Sequence, residues 1–216
     1  MTLQVKTFVL GPIGNNVYLV FDDQTRSALV IDPSINPEPL AQFIQENSLL
    51  VEKVLITHAH FDHYYGLPFL QSTFPSIKEV YLHPDDLDLW RSGGSGKHFS
   101  GKMLSVPEPN QLLNTAKTVT LDNHEFSVFH APGHTAGSVI FSSAELKCAF
   151  VGDVIFFHGI GRTDLDGGDF NQLIHSIQSQ VFTLPEETIL FPGHGASTTV
   201  SEEKANNPFF NKEHNS

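Results

Sequence analysis

Three histidines and one aspartate lie within six consecutive positions of the chain, beginning at His58. The apolar run before them, residues 53–56, predicts a short buried strand, so His58 and His60 leave it on the same side and can hold one metal ion together. Asp62 and His63 follow where the chain has to turn, and they can reach a second ion. Any one of these histidines alone fits a buried or solvent-facing residue. Four such side chains at this spacing favour a metal site, because imidazole and carboxylate are ligands of zinc and iron.

Three more candidate ligands, His134, Asp153 and His194, stand in turns later in the chain, and each directly follows a glycine. Glycine allows the backbone to turn sharply toward a shared point, although each residue taken singly fits an ordinary turn. With the first group they predict a site for two divalent ions, zinc first, with iron or manganese as alternatives. Asp62 and Asp153 are also candidates to orient a water or carry a proton. His130, four positions before His134, is interpreted as structural rather than as a ligand.

The composition argues against several classes of function. Asp and Glu number 24 against 12 Lys and Arg, a formal net charge of −12, and such a surface repels polyanions, so we predict no nucleic-acid partner. The single cysteine, Cys148, excludes an internal disulfide and lies in an apolar run, which predicts a buried, unreactive thiol. Residues 1–10 are too short and polar for a signal peptide, and no apolar run approaches the roughly 18 residues of a membrane span. We expect a cytoplasmic protein without membrane association, whose oligomeric state the sequence leaves open.

The elements that must position these residues are short apolar runs separated by turn signals. Such runs predict strands at residues 3–9, 16–21, 27–31, 53–56, 79–82, 118–121, 125–129, 138–142, 148–151 and 188–191. Residues 37–47 predict a helix with Asn36 as its N-cap, and Asp169 caps another. The apolar stripe of this second helix is expected to be core: Phe170, Leu173, Ile174, Ile177 and Val181. Strands followed by helices in both halves predict two sheets packed face to face with helices outside.

We expect one domain over residues 1–216, with residues 200–216 as a short C-terminal tail. Within it, residues 92–97 (Ser-Gly-Gly-Ser-Gly-Lys) cannot bury apolar surface. They predict either a flexible surface loop or a mobile lid near the site.

Residues 57–63, Thr-His-Ala-His-Phe-Asp-His, resemble the signature of the metallo-β-lactamase superfamily, and the later motifs follow in that family's order over nearly the whole chain. The resemblance implies an α+β fold, a four-layer αββα sandwich of two mixed β-sheets flanked by helices. The metals are then held in loops at one edge between the sheets. The implied ligands are His58, His60 and His134 for one metal and Asp62, His63 and His194 for the other, with Asp153 bridging.

Two stretches resemble the short, single-domain glyoxalase II-like (hydroxyacylglutathione hydrolase-like) subgroup. Residues 159–164, Gly-Ile-Gly-Arg-Thr-Asp, are similar to the segment after the bridging aspartate in these hydrolases and in persulfide dioxygenases. Residues 202–210 are similar to the Glu-Lys-x-x-Asn-Pro-Phe stretch of glyoxalase II proteins. The resemblance implies a glutathione thioester as substrate, with Arg162 contacting glutathione. The alternative for Arg162 is an ion pair with Asp164 or Asp166 that holds its loop.

The expected reaction is hydrolysis of a thioester such as S-lactoylglutathione by attack of a metal-bridging hydroxide. A thiolate leaves without a strong acid, because thiols are already fairly acidic. Three alternatives remain open. One is a mononuclear iron dioxygenase acting on a persulfide, which needs fewer ligands. Another is a lactonase or other ester hydrolase on the same fold. The third is a non-enzymatic binding module in which the metals only hold the loops together. The ligand set argues against it, because it contains carboxylates and no thiolate.

Overall fold

The computed structural model describes residues 3–96, 106–113 and 118–211. Their strands form two six-stranded sheets and a separate hairpin. The first sheet contains, in spatial as in chain order, β1 (Leu3–Leu10), β2 (Asn15–Asp22), β3 (Ser27–Ile31), β4 (Leu50–Leu55), β5 (Glu79–Leu82) and β6 (Gln111–Leu112). Strands β1 to β3 pair antiparallel, whereas β3 to β6 pair parallel, so the sheet is mixed.

The second sheet is mixed as well, because β10 and β13 pair parallel while its other pairs are antiparallel. Its strands are β7 (Thr118–Leu121), β8 (His124–His130), β9 (Val139–Ser143), β10 (Cys148–Gly152), β13 (Ile189–Pro192) and β14 (Thr198–Thr199). The hairpin consists of β11 (Ile155–Phe156) and β12 (Gly159–Ile160). The α-helices are α1 (Glu38–Glu46), α2 (Leu67–Thr73), α3 (Leu87–Arg91), α4 (Phe170–Ser176) and α5 (Val200–Asn206). Two short 3-10 helices cover Phe61–His63 and Pro84–Asp86, and α4 continues into a π-helix over Ile177–Val181.

Three apolar clusters define the layers. One lies between the sheets and joins residues such as Leu29 and Leu55 of the first to Phe141 and Phe150 of the second. A second packs helices α1, α2 and α3 against the outer face of the first sheet. The third packs α4 and α5 against the second sheet. The order helix, sheet, sheet, helix confirms the predicted αββα sandwich.

Several local predictions are confirmed and others are wrong. Asp169 caps α4 by accepting a hydrogen bond from the backbone N–H of Gln172 at 2.9 Å. Phe170, expected in the core, is exposed. Asn36 adopts a left-handed φ of 59° and is not the N-cap of α1; Pro37 occupies that position. The strands that the sequence did not predict, β6, β11, β12 and β14, have two residues each, too few to show a period.

Cys148 is buried, as predicted, and burial raises the pKa of its thiol to about 12. Residues 200–206 of the expected tail form α5, in which Val200 and Glu203 are buried. Residues 212–216 lie outside the described part, and a single domain over the whole chain stays a prediction. No helix among the described residues is long and apolar enough to cross a membrane.

The glycine-rich segment is not a surface loop where it is described, at residues 92–96. Gly93, Gly94 and Gly96 are buried, and a Cβ on Gly94 would lie only 2.6 Å from the backbone nitrogen of Phe61. The backbone N–H of Phe61 donates to the carbonyl oxygen of Gly94 at 2.9 Å. Glycines here permit close packing against the histidine segment; Lys97 lies outside the described residues, and a lid role stays a prediction.

Candidate metal centre

The candidate ligands meet because both sheets send the ends of their strands to the same edge. In the first sheet, β4 is followed directly by the segment that carries His58, His60, Asp62 and His63. In the second, the parallel neighbours β10 and β13 end beside each other, and the loops after them carry Asp153 and His194. His134 lies in the connection from β8 to β9. Parallel strands place their carboxyl ends on one edge of a sheet, which brings these loops together.

A first cluster consists of His58, His60 and His134, all buried. The Nε2 atom of His134 lies 3.2 Å from Nε2 of His58 and 2.9 Å from Nδ1 of His60. Two nitrogens bound to one tetrahedral metal at about 2.1 Å would lie about 3.4 Å apart. The three nitrogens are therefore spaced as ligands of a common ion.

Hydrogen bonds fix which nitrogen of each ring faces this centre. Nδ1 of His134 lies 2.8 Å from the carbonyl oxygen of Arg162, which can only accept, so Nδ1 carries the proton and Nε2 keeps a lone pair. The hydroxyl of Thr57 donates to Asp32 at 2.6 Å and accepts from Nδ1 of His58 at 3.1 Å. The Nε2 lone pairs of His58 and His134 thus point into the cluster.

A second cluster consists of Asp62, His63 and His194. The Oδ2 atom of Asp62 lies 3.1 Å from Nε2 of His194 and 3.4 Å from Nε2 of His63. On its other side His63 donates from Nδ1 to Oδ2 of Asp32 at 2.9 Å. This bond directs Nε2 of His63 toward Asp62, as a carboxylate behind a metal-binding histidine does.

Asp153 lies between the clusters. Its Oδ2 atom is 3.6 Å from Nε2 of His134 in the first cluster and 3.8 Å from Nε2 of His194 in the second. Its Oδ1 atom lies 3.5 Å from Nε2 of His63 but is buried without a hydrogen-bond partner among the described residues. A buried carboxylate oxygen without a partner is costly. A divalent cation between the clusters would satisfy it, so the residues present fit a two-metal centre.

The protonation of the histidines differs between the clusters. Burial, together with the neighbouring His134 and His63, lowers the pKa of His60 to about 3. Burial also lowers the pKa values of His58 and His134, so the first cluster presents neutral imidazoles, the form that binds metals. For His63, burial opposes protonation, but Asp62 and two other carboxylates outweigh it and raise its pKa to about 10. The second cluster therefore attracts a positive charge.

The glycines before the ligands act in two ways. Gly133 and Gly152 have φ values of 130° and 50°, so they allow the sharp turns that the sequence predicted. Gly193 does not have a positive φ, and the predicted reason is wrong there. A Cβ on Gly193 would lie 2.1 Å from Oδ1 of Asp153 and 2.6 Å from Cε1 of His63, so this glycine is needed for space.

Two buried aspartates outside the predicted ligand set, Asp32 and Asp86, frame the clusters. Asp32 follows β3 and accepts hydrogen bonds from Thr57 and His63. Asp32 follows β3, the parallel neighbour of β4, and this position in the sequence could have predicted that it lies beside the histidine segment. Asp86 accepts hydrogen bonds from the backbone N–H groups of Ala59 at 2.8 Å and Gly137 at 2.7 Å, and from the hydroxyl of Thr135 at 2.9 Å. Asp86 thereby joins the loops that carry the first cluster. No local sequence pattern predicts this role.

A cleft of about 470 Å³ opens beside the candidate ligands. Its walls also include Ile13, Phe61, Gly94, Ser95, Arg162 and Leu165. Arg162 is 60 % exposed, and its guanidinium donates two hydrogen bonds of 2.8 Å to the carboxylate of Asp164. The predicted alternative for Arg162, an ion pair within its own loop, is therefore present. The contact with glutathione stays a prediction, although the residue lies at the cleft.

Comparison with known proteins identifies the family. The metallo-beta-lactamase superfamily model matches residues 10–194. The chain belongs to this superfamily. It is 36 % identical to hydroxyacylglutathione hydrolase GloC of Haemophilus influenzae over 91 % of this chain and 92 % of GloC.

Two solved structures are similar over almost their whole length. The BLEG-1 B3 metallo-beta-lactamase is 36 % identical, with a TM-score of 0.90 over 96 % of this chain and 99 % of that one. The protein TTHA1623, solved in a di-iron-bound form, is 36 % identical, with a TM-score of 0.81 over 95 % of this chain and 100 % of that one. GloC and BLEG-1, both 36 % identical to this chain, thus carry different activities in their names.

Proposed function

We propose that this protein is a binuclear metal-dependent hydrolase of thioesters, with a hydroxyacylglutathione as the substrate class. The observation that carries the proposal is the position of Asp153, with one carboxylate oxygen within 4 Å of both His134 and His194. In this proposal one ion is held by His58, His60 and His134 and the other by Asp62, His63 and His194. When bound, two divalent ions lower the pKa of a shared water to about 7 and polarise a carbonyl group.

The residues of the chain divide the remaining work. Asp62 and Asp153, which both line the cleft, orient the attacking water or carry its proton. The Nδ1–H bonds of His58, His63 and His134 keep the rings in fixed orientations, so the site needs no rearrangement during the reaction. No side-chain nucleophile is required, and the departing thiolate is stable enough to leave unprotonated.

The name of the GloC relative supports glutathione as the thiol carrier, and so does the composition of the cleft. Arg162 is the one arginine among its described lining residues, which include no lysine, and Ile13, Phe61 and Leu165 provide apolar walls. A glutathione thioester carries carboxylates and an acyl chain, which match this combination. For Arg162 to bind a carboxylate of the substrate, its guanidinium would exchange its exposed partner Asp164 for that carboxylate.

The test combines metal analysis with turnover of S-lactoylglutathione, a lactone, a β-lactam and glutathione persulfide. We expect two ions per chain and the highest kcat/KM on the thioester. Zinc is the first expectation, and the di-iron form of TTHA1623 supports iron as an alternative. One iron per chain with oxygen uptake on the persulfide would instead establish the dioxygenase alternative. A higher kcat/KM on the lactone or the β-lactam would change the proposed substrate class and leave the binuclear hydrolase in place.

The role of Arg162 has its own test. Arg162→Ala is expected to raise KM for the glutathione thioester with the metal content unchanged. The matched control is Arg91→Ala, because Arg91 forms a similar two-bond pair with Glu108 but does not line the cleft. Equal KM values for both variants and the unmodified protein would refute the glutathione contact.

A further inference from the structure

A second group of ligand-type side chains lies outside the seven residues of the proposed centre. His83 directly follows β5, Asp85 lies in the next turn, and His130 is the last residue of β8. Each presents one ligand atom, and these atoms lie within 4.8 Å of one another. His83 is buried, whereas Asp85 and His130 are exposed to solvent.

The hydrogen bonds leave one nitrogen of His130 free to bind a cation, and one nitrogen of His83 accepts only a single long bond. Nε2 of His130 lies 2.9 Å from the carbonyl oxygen of Ala136, so it carries the proton and Nδ1 keeps its lone pair. Nδ1 of His83 accepts only a long bond of 3.3 Å from the backbone N–H of Asp85, whose Oδ2 lies 3.7 Å away. Burial, and then His130, lowers the pKa of His83, so its ring is neutral near pH 7.

The surroundings of these residues favour a cation. A cavity of about 280 Å³ adjoins Asp85, and Asp86, Asp88 and Asp166 also line it. Its described lining includes no lysine or arginine. The negative potential of such a cavity concentrates cations beside Asp85, the one member of the group that lines it.

We propose that His83, Asp85 and His130 bind a further divalent ion of the zinc class, separate from the two-metal centre, with water completing its coordination. Two nitrogens, one carboxylate and a water form a usual zinc ligand set. The rings of His83 and His130 now stack 4.0 Å apart at an angle of 11°. A bound ion lies in the plane of each imidazole, so the exposed ring of His130 has to tilt. Its hydrogen bond to Ala136 can act as the pivot.

An ion at this place would join the end of β5 in one sheet to the end of β8 in the other. Asp86, which ties the loops of the first cluster together, is the next residue after Asp85. The ion would therefore stabilise the frame of the two-metal centre without touching the substrate.

The test is a zinc titration of the metal-stripped protein against a chromophoric chelator. We expect the unmodified chain to bind one more zinc ion than His130→Ala or Asp85→Asn, with turnover by both variants retained. His175→Ala, which removes an exposed histidine on α4, is the control and should keep the full zinc content. Asp85→Asn provides the test if His130→Ala does not fold.

The result is independent of the two-metal proposal, because it depends on a difference of one ion between variants. Asp153→Ala, which should lose metal at the main centre, is expected to keep the additional ion. Equal zinc content in the unmodified protein, His130→Ala and Asp85→Asn would overturn the further site and show the stacked histidines to be a packing contact.

Discussion

Replacement of Asp86 is expected to destabilise the fold and loosen the first histidine cluster together. The carboxylate is buried, with 1 % of the residue exposed, and it holds two backbone N–H groups from loops that lie far apart in sequence. Ala59 stands between His58 and His60, and Gly137 follows His134 by three positions. Both loops therefore depend on one side chain.

The expected magnitude follows from the donors that lose an acceptor. In Asp86→Ala the N–H groups of Ala59 and Gly137 are left buried and unpaired, at about 1–3 kcal/mol each, so we expect a loss of about 4 kcal/mol. Thr135 does not add to this, because its hydroxyl also contacts the hydroxyl of Ser138 at 2.8 Å. Asp86→Asn keeps one acceptor oxygen and should cost about half as much, ~2 kcal/mol.

The measurement is urea unfolding of the metal-loaded proteins, with metal affinity measured in parallel. Asp88→Asn is the control, since the Asp88 side chain is 99 % exposed and should change stability by less than about 0.5 kcal/mol. We expect Asp86→Ala to be less stable than Asp86→Asn and to bind the first ion more weakly. An Asp86→Ala protein that matches the Asp88→Asn control in both measurements would refute the reasoning.

Three further predictions concern space, pH and metal. The Gly193→Ala protein should bind metal about 10–100-fold more weakly, because the added Cβ would displace Asp153. Gly159→Ala is the control and should keep the metal affinity, because its added Cβ has no neighbour closer than 3.8 Å. Equal metal affinities of the two variants would contradict this prediction. His124 has a raised pKa, chiefly through its hydrogen bond to Glu145 and then through Asp22. Its pairing thus stabilises the fold fully below the unfolded pKa of about 6.5 and is lost as the pH rises through the folded pKa. The loss of unfolding free energy in His124→Gln should be larger near pH 6 than near pH 9, and a constant loss would show that the pairing does not contribute. Removal of metal with a chelator should lower the midpoint of thermal unfolding, because the ions bind the folded chain; a smaller shift is expected in Asp153→Ala, and an equal one would argue against Asp153 as a ligand.

The spacing of the candidate ligands was informative because it is local. His58 and His60 leave one strand on the same side, and the stripe that buries Leu173 and Ile177 has a helical period, so both were predictable from residues a few positions apart. The alternation of short strands and helices likewise predicted the layers. The identity of the metals and of the acyl group is not encoded in such patterns.

The sequence by itself determined the residue types that converge and the class of fold that brings them together. Only the tertiary structure decided what lies between them, because those contacts join positions far apart in the chain. Asp86 meets Gly137, Asp32 meets His63, and Gly193 has to be small because Asp153 and His63 occupy the space of its missing Cβ. A local sequence pattern carries no information on such long-range contacts, since they depend on how the two sheets pack.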